Sequence, residues 1–111
     1  MLQTRKHGDV QVVLVKESRL DGANSELFKE QLFQFVDQGG DKFVLNLSNV
    51  EFIDSKGIGV LVSVHKKLMG SGTCCLCDLK LNVRKIFSTS RIDRLLHIYP
   101  TEDEAVAALE S

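Results

Sequence analysis

The chain has 111 residues, of which 43% are hydrophobic, and 14 basic and 15 acidic side chains give a formal charge of −1. This length and composition predict one domain over residues 1–111 that can bury a core without disulfides or metals. The balanced charge provides no basic block for binding nucleic acid or an anionic membrane surface. No apolar window could span a bilayer and residues 1–6 lack the apolar core of a signal peptide, so we expect a cytoplasmic protein without membrane insertion.

Short apolar runs bounded by polar turns predict the strands. The three clearest runs are residues 10–15, 43–47 and 73–79. Residues 3–6 are expected to pair with the first run across a turn at residues 7–9, because Gly-Asp is a common hairpin dipeptide. Residues 98–99 are expected to add a brief final strand.

Apolar residues spaced by three and four predict helices between these strands. The first helix covers residues 23–38, and the glycines that follow it are a natural stop. The second begins near Ser55 and ends at Gly70. Its predicted apolar row is Ile58, Leu61, Val62, His65, Leu68 and Met69. Its opposite face carries Ser63, Lys66 and Lys67, which we interpret as a solvated face.

Two shorter helices are predicted towards the end of the chain. Asn82 is expected to cap a third helix whose apolar residues are Val83, Ile86 and Phe87. Thr101 and Glu104 form a capping box for the fourth helix. The buried face of that helix is predicted to be Ala105, Val106 and Leu109. Strands that alternate with helices predict an α/β sandwich with a mainly parallel sheet.

The three cysteines fall within one predicted strand. An extended backbone turns Cys75 and Cys77 to one face and Cys74 to the other, so we interpret them as reduced packing residues. A zinc site is the alternative, but structural zinc needs four ligands and no second pair of cysteines or histidines stands at a usable spacing.

The segment from Asp54 to Gly59 is the candidate functional site. Asp54 or Ser55 can cap the second helix. Capping does not explain Gly57 and Gly59, each of which costs roughly 1 kcal/mol relative to alanine inside a helix. A bare glycine lets another backbone approach closely, either a strand of the same chain or the surface of a partner.

Ser55 has three interpretations. It caps the helix, or it is a phosphorylation switch, or it is a catalytic nucleophile. A phosphoryl group at a helix N-terminus beside Asp54 would add about −1.5 to −2 charges and displace a partner without unfolding the chain. The nucleophile needs an adjacent base, and His65 lies more than two turns away. Gly57 and Gly59 lack the third glycine of a dinucleotide fingerprint, so no cofactor is predicted.

Three long blocks of the sequence resemble the anti-sigma-factor antagonist family of STAS domains. The blocks are SRLDGANSELFKEQL, FVLNLSNVEFIDSKGIGVLVSVHKKL and VRKIFSTSRIDRLLHIYPTEDEAVAAL. The resemblance implies a STAS-like α/β sandwich with a four- or five-strand mixed sheet and about four helices packed mainly on one face.

The resemblance also implies a regulatory function without enzymatic activity. Ser55 matches the serine that is phosphorylated in the family. The unmodified protein is then expected to bind a GHKL-type serine kinase that is also an anti-sigma factor, which releases the sigma factor. Phosphorylation ends that complex, and a PP2C-type phosphatase restores it.

The implied partner surface includes the start of the second helix and the loop that enters the first. It consists of Asp21, Asp54, Ser55, Lys56, Gly57, Gly59, Ser63 and Lys66. Lys56 departs from the family, which commonly carries a second serine or threonine at that position. The alternative is a constitutive STAS adaptor subunit of a lipid-transport complex or a stress-signalling assembly, which needs no phosphorylation.

Overall fold

A computed structural model describes residues 1–110 and contains seven strands and four α-helices. In chain order the elements are β1 (Leu2–His7), β2 (Val10–Val15), β3 (Arg19–Leu20), α1 (Ser25–Asp37), β4 (Lys42–Asn46), β5 (Phe52–Ile53), α2 (Ser55–Leu68), β6 (Thr73–Cys77), α3 (Leu81–Thr89), a 3₁₀ turn (Ile92–Arg94), β7 (His97–Tyr99) and α4 (Glu102–Leu109). No helix within residues 1–110 is long and apolar enough to cross a membrane.

The main sheet has five strands in the order β1-β2-β4-β6-β7. The hairpin of β1 and β2 is antiparallel, with His7 opposite Val10, and Gly8 adopts the positive φ of 64° that its tight turn requires. The other neighbours run parallel. The central strands are buried on both faces, which explains their nearly continuous apolar sequences. The predicted hairpin, the mixed sheet and the brief final strand are confirmed.

Helices cover the two faces of the sheet unequally. Buried side chains of α1, α2 and α3 share one apolar cluster with one face, whereas Ala105 and Val106 of α4 pack on the other. The Thr101 hydroxyl accepts the Glu104 N–H at 3.2 Å, which confirms Thr101 as the cap of α4. Of the predicted buried face, Ala105 and Val106 are buried and Leu109 is partly buried. Three helices on one face and one on the other confirm the predicted packing.

The cysteines of β6 alternate between the two apolar clusters, as predicted. Cys74 belongs to the cluster beneath α1, α2 and α3, and Cys75 and Cys77 belong to the cluster beneath α4. All three are free thiols. Burial raises the pKa of Cys74 to about 12, of Cys75 to about 11 and of Cys77 to about 12, so the thiols are protonated at neutral pH.

Two details of the predicted helices are wrong. Lys80 stands at the N-cap of α3, and Asn82 lies inside the helix, where its amide donates a hydrogen bond to the Glu51 carbonyl. The buried row of α2 is also rotated from the predicted one. It consists of Gly57, Val60, Leu61, Val64 and Leu68. Met69, predicted on this row, is the non-helical C-cap residue that follows the last turn of α2, and it is 67% exposed.

Candidate functional site

A two-stranded sheet too short for a sequence signal aligns the loop before α1 with the start of α2. Strands β3 and β5 run parallel, with Arg19 opposite Phe52 and Leu20 opposite Ile53. The Arg19 guanidinium lies 4.4 Å from the centre of the Phe52 ring, a cation–π contact. Because both strands end at the same edge, the residues that follow them meet there.

Asp54 is the residue that caps α2. One carboxylate oxygen accepts the backbone N–H groups of Lys56 at 2.9 Å and Gly57 at 3.0 Å, and the other accepts the N–H of Gly22 at 3.2 Å. The hydrogen bond from Gly57 is the largest cause of a lowered pKa for Asp54, and those from Gly22 and Lys56 add to it. Asp54 therefore ties the first turn of α2 to the loop that enters α1.

Because the pKa of Asp54 is lowered in the folded protein, the effect of Asp54→Ala on the free energy of unfolding should depend on pH. The folded pKa lies below the unfolded value of about 3.9, so the ionised carboxylate stabilises the fold above about pH 4 and loses that effect as the pH falls through the folded pKa. In urea unfolding, Asp54→Ala should have a lower free energy of unfolding than the wild type at pH 7. The difference between the two free energies should be smaller at pH 3. A difference that does not change with pH would contradict this account, and Asp54→Asn separates the cap from the charge.

Ser55 occupies the first helical position with its side chain exposed. Its hydroxyl makes no hydrogen bond with any other group in residues 1–110, since Asp54 accepts the N–H groups that a capping serine would bind. Capping by Ser55 is therefore wrong. The interpretation of Ser55 as a catalytic nucleophile gains no support from the position of His65. This histidine is ten residues along the helix, about 15 Å from Ser55, and its ring contacts the ring of His97.

The two glycines of the first turns differ in their surroundings. Gly57 is buried, and a Cβ at this position would collide with the Leu20 carbonyl oxygen and the Ile53 side chain. Close approach by a strand of the same chain explains this glycine. Gly59 is exposed, and a Cβ there would meet nothing within 4 Å, so no contact within residues 1–110 accounts for it.

Hydrogen bonds fix the loop between β3 and α1. The Asp21 carboxylate accepts the Ala23 N–H at 3.0 Å and the Arg19 Nε–H at 3.1 Å. The Asn24 side chain accepts the Asp21 N–H at 3.0 Å and donates to the Arg19 carbonyl at 2.7 Å. This loop reaches α2 through the Gly22 bond to Asp54, so Asp21 lies on the same rim as the start of α2.

The remaining residues of the predicted partner surface lie around and beyond this rim. The aliphatic part of the Lys56 side chain lies over Gly22. A Cβ added to Gly22 would be 3.3 Å from the Cδ of Lys56. Ser63 donates its hydroxyl proton to the Gly59 carbonyl at 2.8 Å, and Lys66 is exposed. By helical rise these two residues are about 12 and 16 Å from Ser55, so the structure does not bring them to the first turn. Lys67, predicted on the solvated face, pairs with Asp37 at 3.1 Å.

A groove of about 430 Å³ beside Ser55 was not predicted from the sequence. It is lined by Ile53, Asp54, Ser55, Ile58, Lys85, Ile86, Thr89 and Ser90. The only sequence signal for it was the apolar spacing that includes Ile58 and Ile86 in two different helices. Ile58 and Ile86 line one groove because α3 packs against β5, and no sequence pattern predicts this packing.

The fold and this site define a small mixed α/β sandwich. Its second helix presents at the surface a bare glycine and a serine hydroxyl that makes no hydrogen bond inside residues 1–110. The sequence model of the STAS domain family matches residues 1–105. The chain therefore belongs to the STAS domain family, and the resemblance is confirmed.

The chain is similar to proteins of two named organisms along most of its length. It is 36% identical over 97 residues to a candidate anti-sigma factor antagonist of Thermotoga maritima, covering 86% of each chain. It is 28% identical over 102 residues to the anti-sigma F factor antagonist of Paenibacillus polymyxa, covering 89% of this chain and 87% of the relative. A crystal structure of a Thermotoga maritima candidate antagonist superposes with a TM-score of 0.87 at 32% identity, over 97% of this chain and 93% of that one.

Proposed function

We propose that this chain is an anti-sigma-factor antagonist controlled by phosphorylation of Ser55. In the unmodified state it binds a GHKL-type serine kinase that is also an anti-sigma factor, and the sigma factor is released for transcription. Phosphorylation of Ser55 by that kinase ends the complex, and a PP2C-type phosphatase restores it. The names of the two relatives support the antagonist role.

The observation that carries the switch is the availability of the Ser55 hydroxyl. A kinase needs an exposed hydroxyl, and Ser55 is exposed and unbonded within residues 1–110. Asp54 already caps α2, so modification of Ser55 removes no contact that holds the fold. A phosphoryl group here would add bulk and about −1.5 to −2 charges to the proposed contact surface while the protein stays folded.

The proposed contact surface is the rim formed by the Asp21 loop and the first turns of α2. Gly59 supports this assignment, because an exposed helical glycine lowers helix stability without any compensating contact inside residues 1–110. A partner backbone that packs on the bare Cα would compensate for it. Ser63 and Lys66 are placed at the margin of the same contact.

Lys56 favours the second candidate, a constitutive adaptor. A cation beside Ser55 would offset part of the added charge, and its stem already lies over Gly22 on the rim. In this alternative the glycine turn holds its partner in a lipid-transport or stress-signalling assembly, and Ser55 is never modified.

Intact-mass and fragment analysis tests the switch. The purified chain and its Ser55→Ala variant are incubated with ATP and the soluble extract of the source cells. We expect one phosphoryl group on the wild type, mapped to Ser55, and none on the variant. An unmodified wild type, in an extract that phosphorylates a known antagonist, would contradict the switch and favour the adaptor.

A further inference from the structure

Lys85 lies on the wall of the groove that Ser55 lines. It belongs to α3, thirty positions along the chain from Ser55, and it is exposed. The packing of α3 against β5 and the start of α2 brings the ammonium-bearing side chain and the serine to one groove. Three isoleucine side chains, Ile53, Ile58 and Ile86, line the same groove.

Two cations beside Ser55 or on its groove make no ion pair within residues 1–110. The ion pairs within residues 1–110 join Arg5 to Glu102, Arg19 to Asp21, Lys42 to Asp9 and Lys67 to Asp37. Neither Lys85 nor Lys56 belongs to any of them. The two lie in different directions, since Lys56 lies over Gly22 on the loop side and Lys85 lies on the groove side.

The acidic neighbour of Ser55 is already occupied. The Asp54 carboxylate accepts three backbone N–H groups, which disperse its charge. These hydrogen bonds reduce the repulsion between Asp54 and a phosphoryl group on Ser55, so a lysine that lines the same groove can stabilise that group.

We propose that Lys85 is the counter-ion of a phosphoryl group on Ser55 and binds it across the groove. This inference rests on the proposed function, because it concerns the phosphorylated state. The phosphoryl oxygens accept hydrogen bonds from the Lys85 ammonium on one side, and the Lys56 ammonium neutralises them on the other.

With Lys85 as its counter-ion, the phosphoryl group would block the partner in a further way. The two cations would offset part of the negative charge that the phosphoryl group adds to the surface. The phosphoryl group then also acts by filling the mouth of the groove and by engaging the two lysines. This also gives Lys56, the departure from the family pattern, a role in the modified state.

Phosphorus NMR of a chain with phosphoserine incorporated at position 55 during translation tests the inference. The pH titration gives the second pKa of the phosphoryl group, ordinarily about 6. A neighbouring ammonium favours the dianion, so Lys85→Gln should raise this pKa by about half a unit relative to the phosphorylated wild type at low salt. Lys85→Arg, which keeps the charge, should restore the lower pKa.

Arg84→Gln is the matched control. Arg84 precedes Lys85 on α3 and is exposed, but it lines a separate pocket with Leu79 and Tyr99. Its removal should leave the phosphoryl pKa within about 0.1 unit of the wild type, because exposed charges beyond close range are screened. Equal pKa values in Lys85→Gln and the wild type, or equal shifts in both glutamine variants, would overturn the inference, as would a phosphoserine chain that does not fold.

Failure of this inference is distinguishable from failure of the proposed function. The phosphoserine is installed without a kinase, so the titration reports on Lys85 whether or not cells modify Ser55. Unmodified Ser55 after incubation with extract would contradict the switch and leave the titration unchanged. If the cell extract modifies Ser55 but the phosphoryl pKa is the same in Lys85→Gln and in the wild type, only the role of Lys85 would be contradicted.

Discussion

Alanine at position 57 is expected to lower the free energy of unfolding by about 1 to 3 kcal/mol, the usual cost of inserting an atom into a well-packed site. The new Cβ would overlap the Leu20 carbonyl oxygen and the Ile53 side chain. The Leu20 carbonyl cannot move freely, because it also accepts the Asp54 N–H at 3.1 Å. Urea unfolding monitored by circular dichroism measures the loss.

Gly59→Ala is the matched control, since it makes the same substitution two residues along the same helix. Its Cβ would meet nothing within 4 Å, so the higher helix propensity of alanine should raise the free energy of unfolding by about 0.5 to 1 kcal/mol. Equal destabilisation by both variants would contradict the distinction between a buried glycine held by its own chain and an exposed one available to a partner.

Phosphoserine at position 55 is expected to weaken binding to the proposed partner, a GHKL-type kinase, by at least about 100-fold, or about 2.8 kcal/mol. The unmodified serine lies between Asp54 and Lys56 on the proposed contact surface. A phosphoryl group on this serine would hold the partner away from Gly59. Titration calorimetry with the purified kinase compares serine, alanine and phosphoserine at this position. Ser55→Ala should bind like the unmodified chain.

Phosphoserine at position 71 separates position from charge. Ser71 is exposed just beyond the C-terminal end of α2, at the opposite end of the helix from Ser55. The same phosphoryl group there should leave kinase affinity within about twofold, because screening weakens its effect over the length of the helix, about 20 Å. Equal weakening at both positions would show a general charge effect and contradict a local switch.

The sequence predicted the sheet because buried parallel strands leave long apolar runs. Residues 10–15 matched β2 completely, and the other main strands were placed within two residues. The pair β3 and β5 was missed because two-residue strands have no period to detect. The rotated face of α2 was missed because Ile58 and Met69 fit the helical spacing as well as Val60 and Val64 do. The prediction of one domain over residues 1–111 stays a prediction.

The role of the candidate site stays a prediction, and the structure shows how its residues are arranged. The sequence singled out Asp54, Ser55 and two glycines, but it could not assign the cap to one residue. It also could not show that Gly57 faces a strand of its own chain while Gly59 faces solvent, since that depends on the β3–β5 pair. Lys85 had no sequence signal, because its proximity to Ser55 arises from the packing of α3.

The most direct test of the central claim is the release of a preformed complex by ATP. The chain is labelled with a fluorophore, bound to the proposed GHKL-type kinase partner, and followed by fluorescence anisotropy after ATP is added. We predict that the wild type dissociates at the rate at which phosphoserine appears at position 55, and that Ser55→Ala stays bound. Equal release of both chains, or a phosphorylated wild type that remains bound, would contradict Ser55 as the switch.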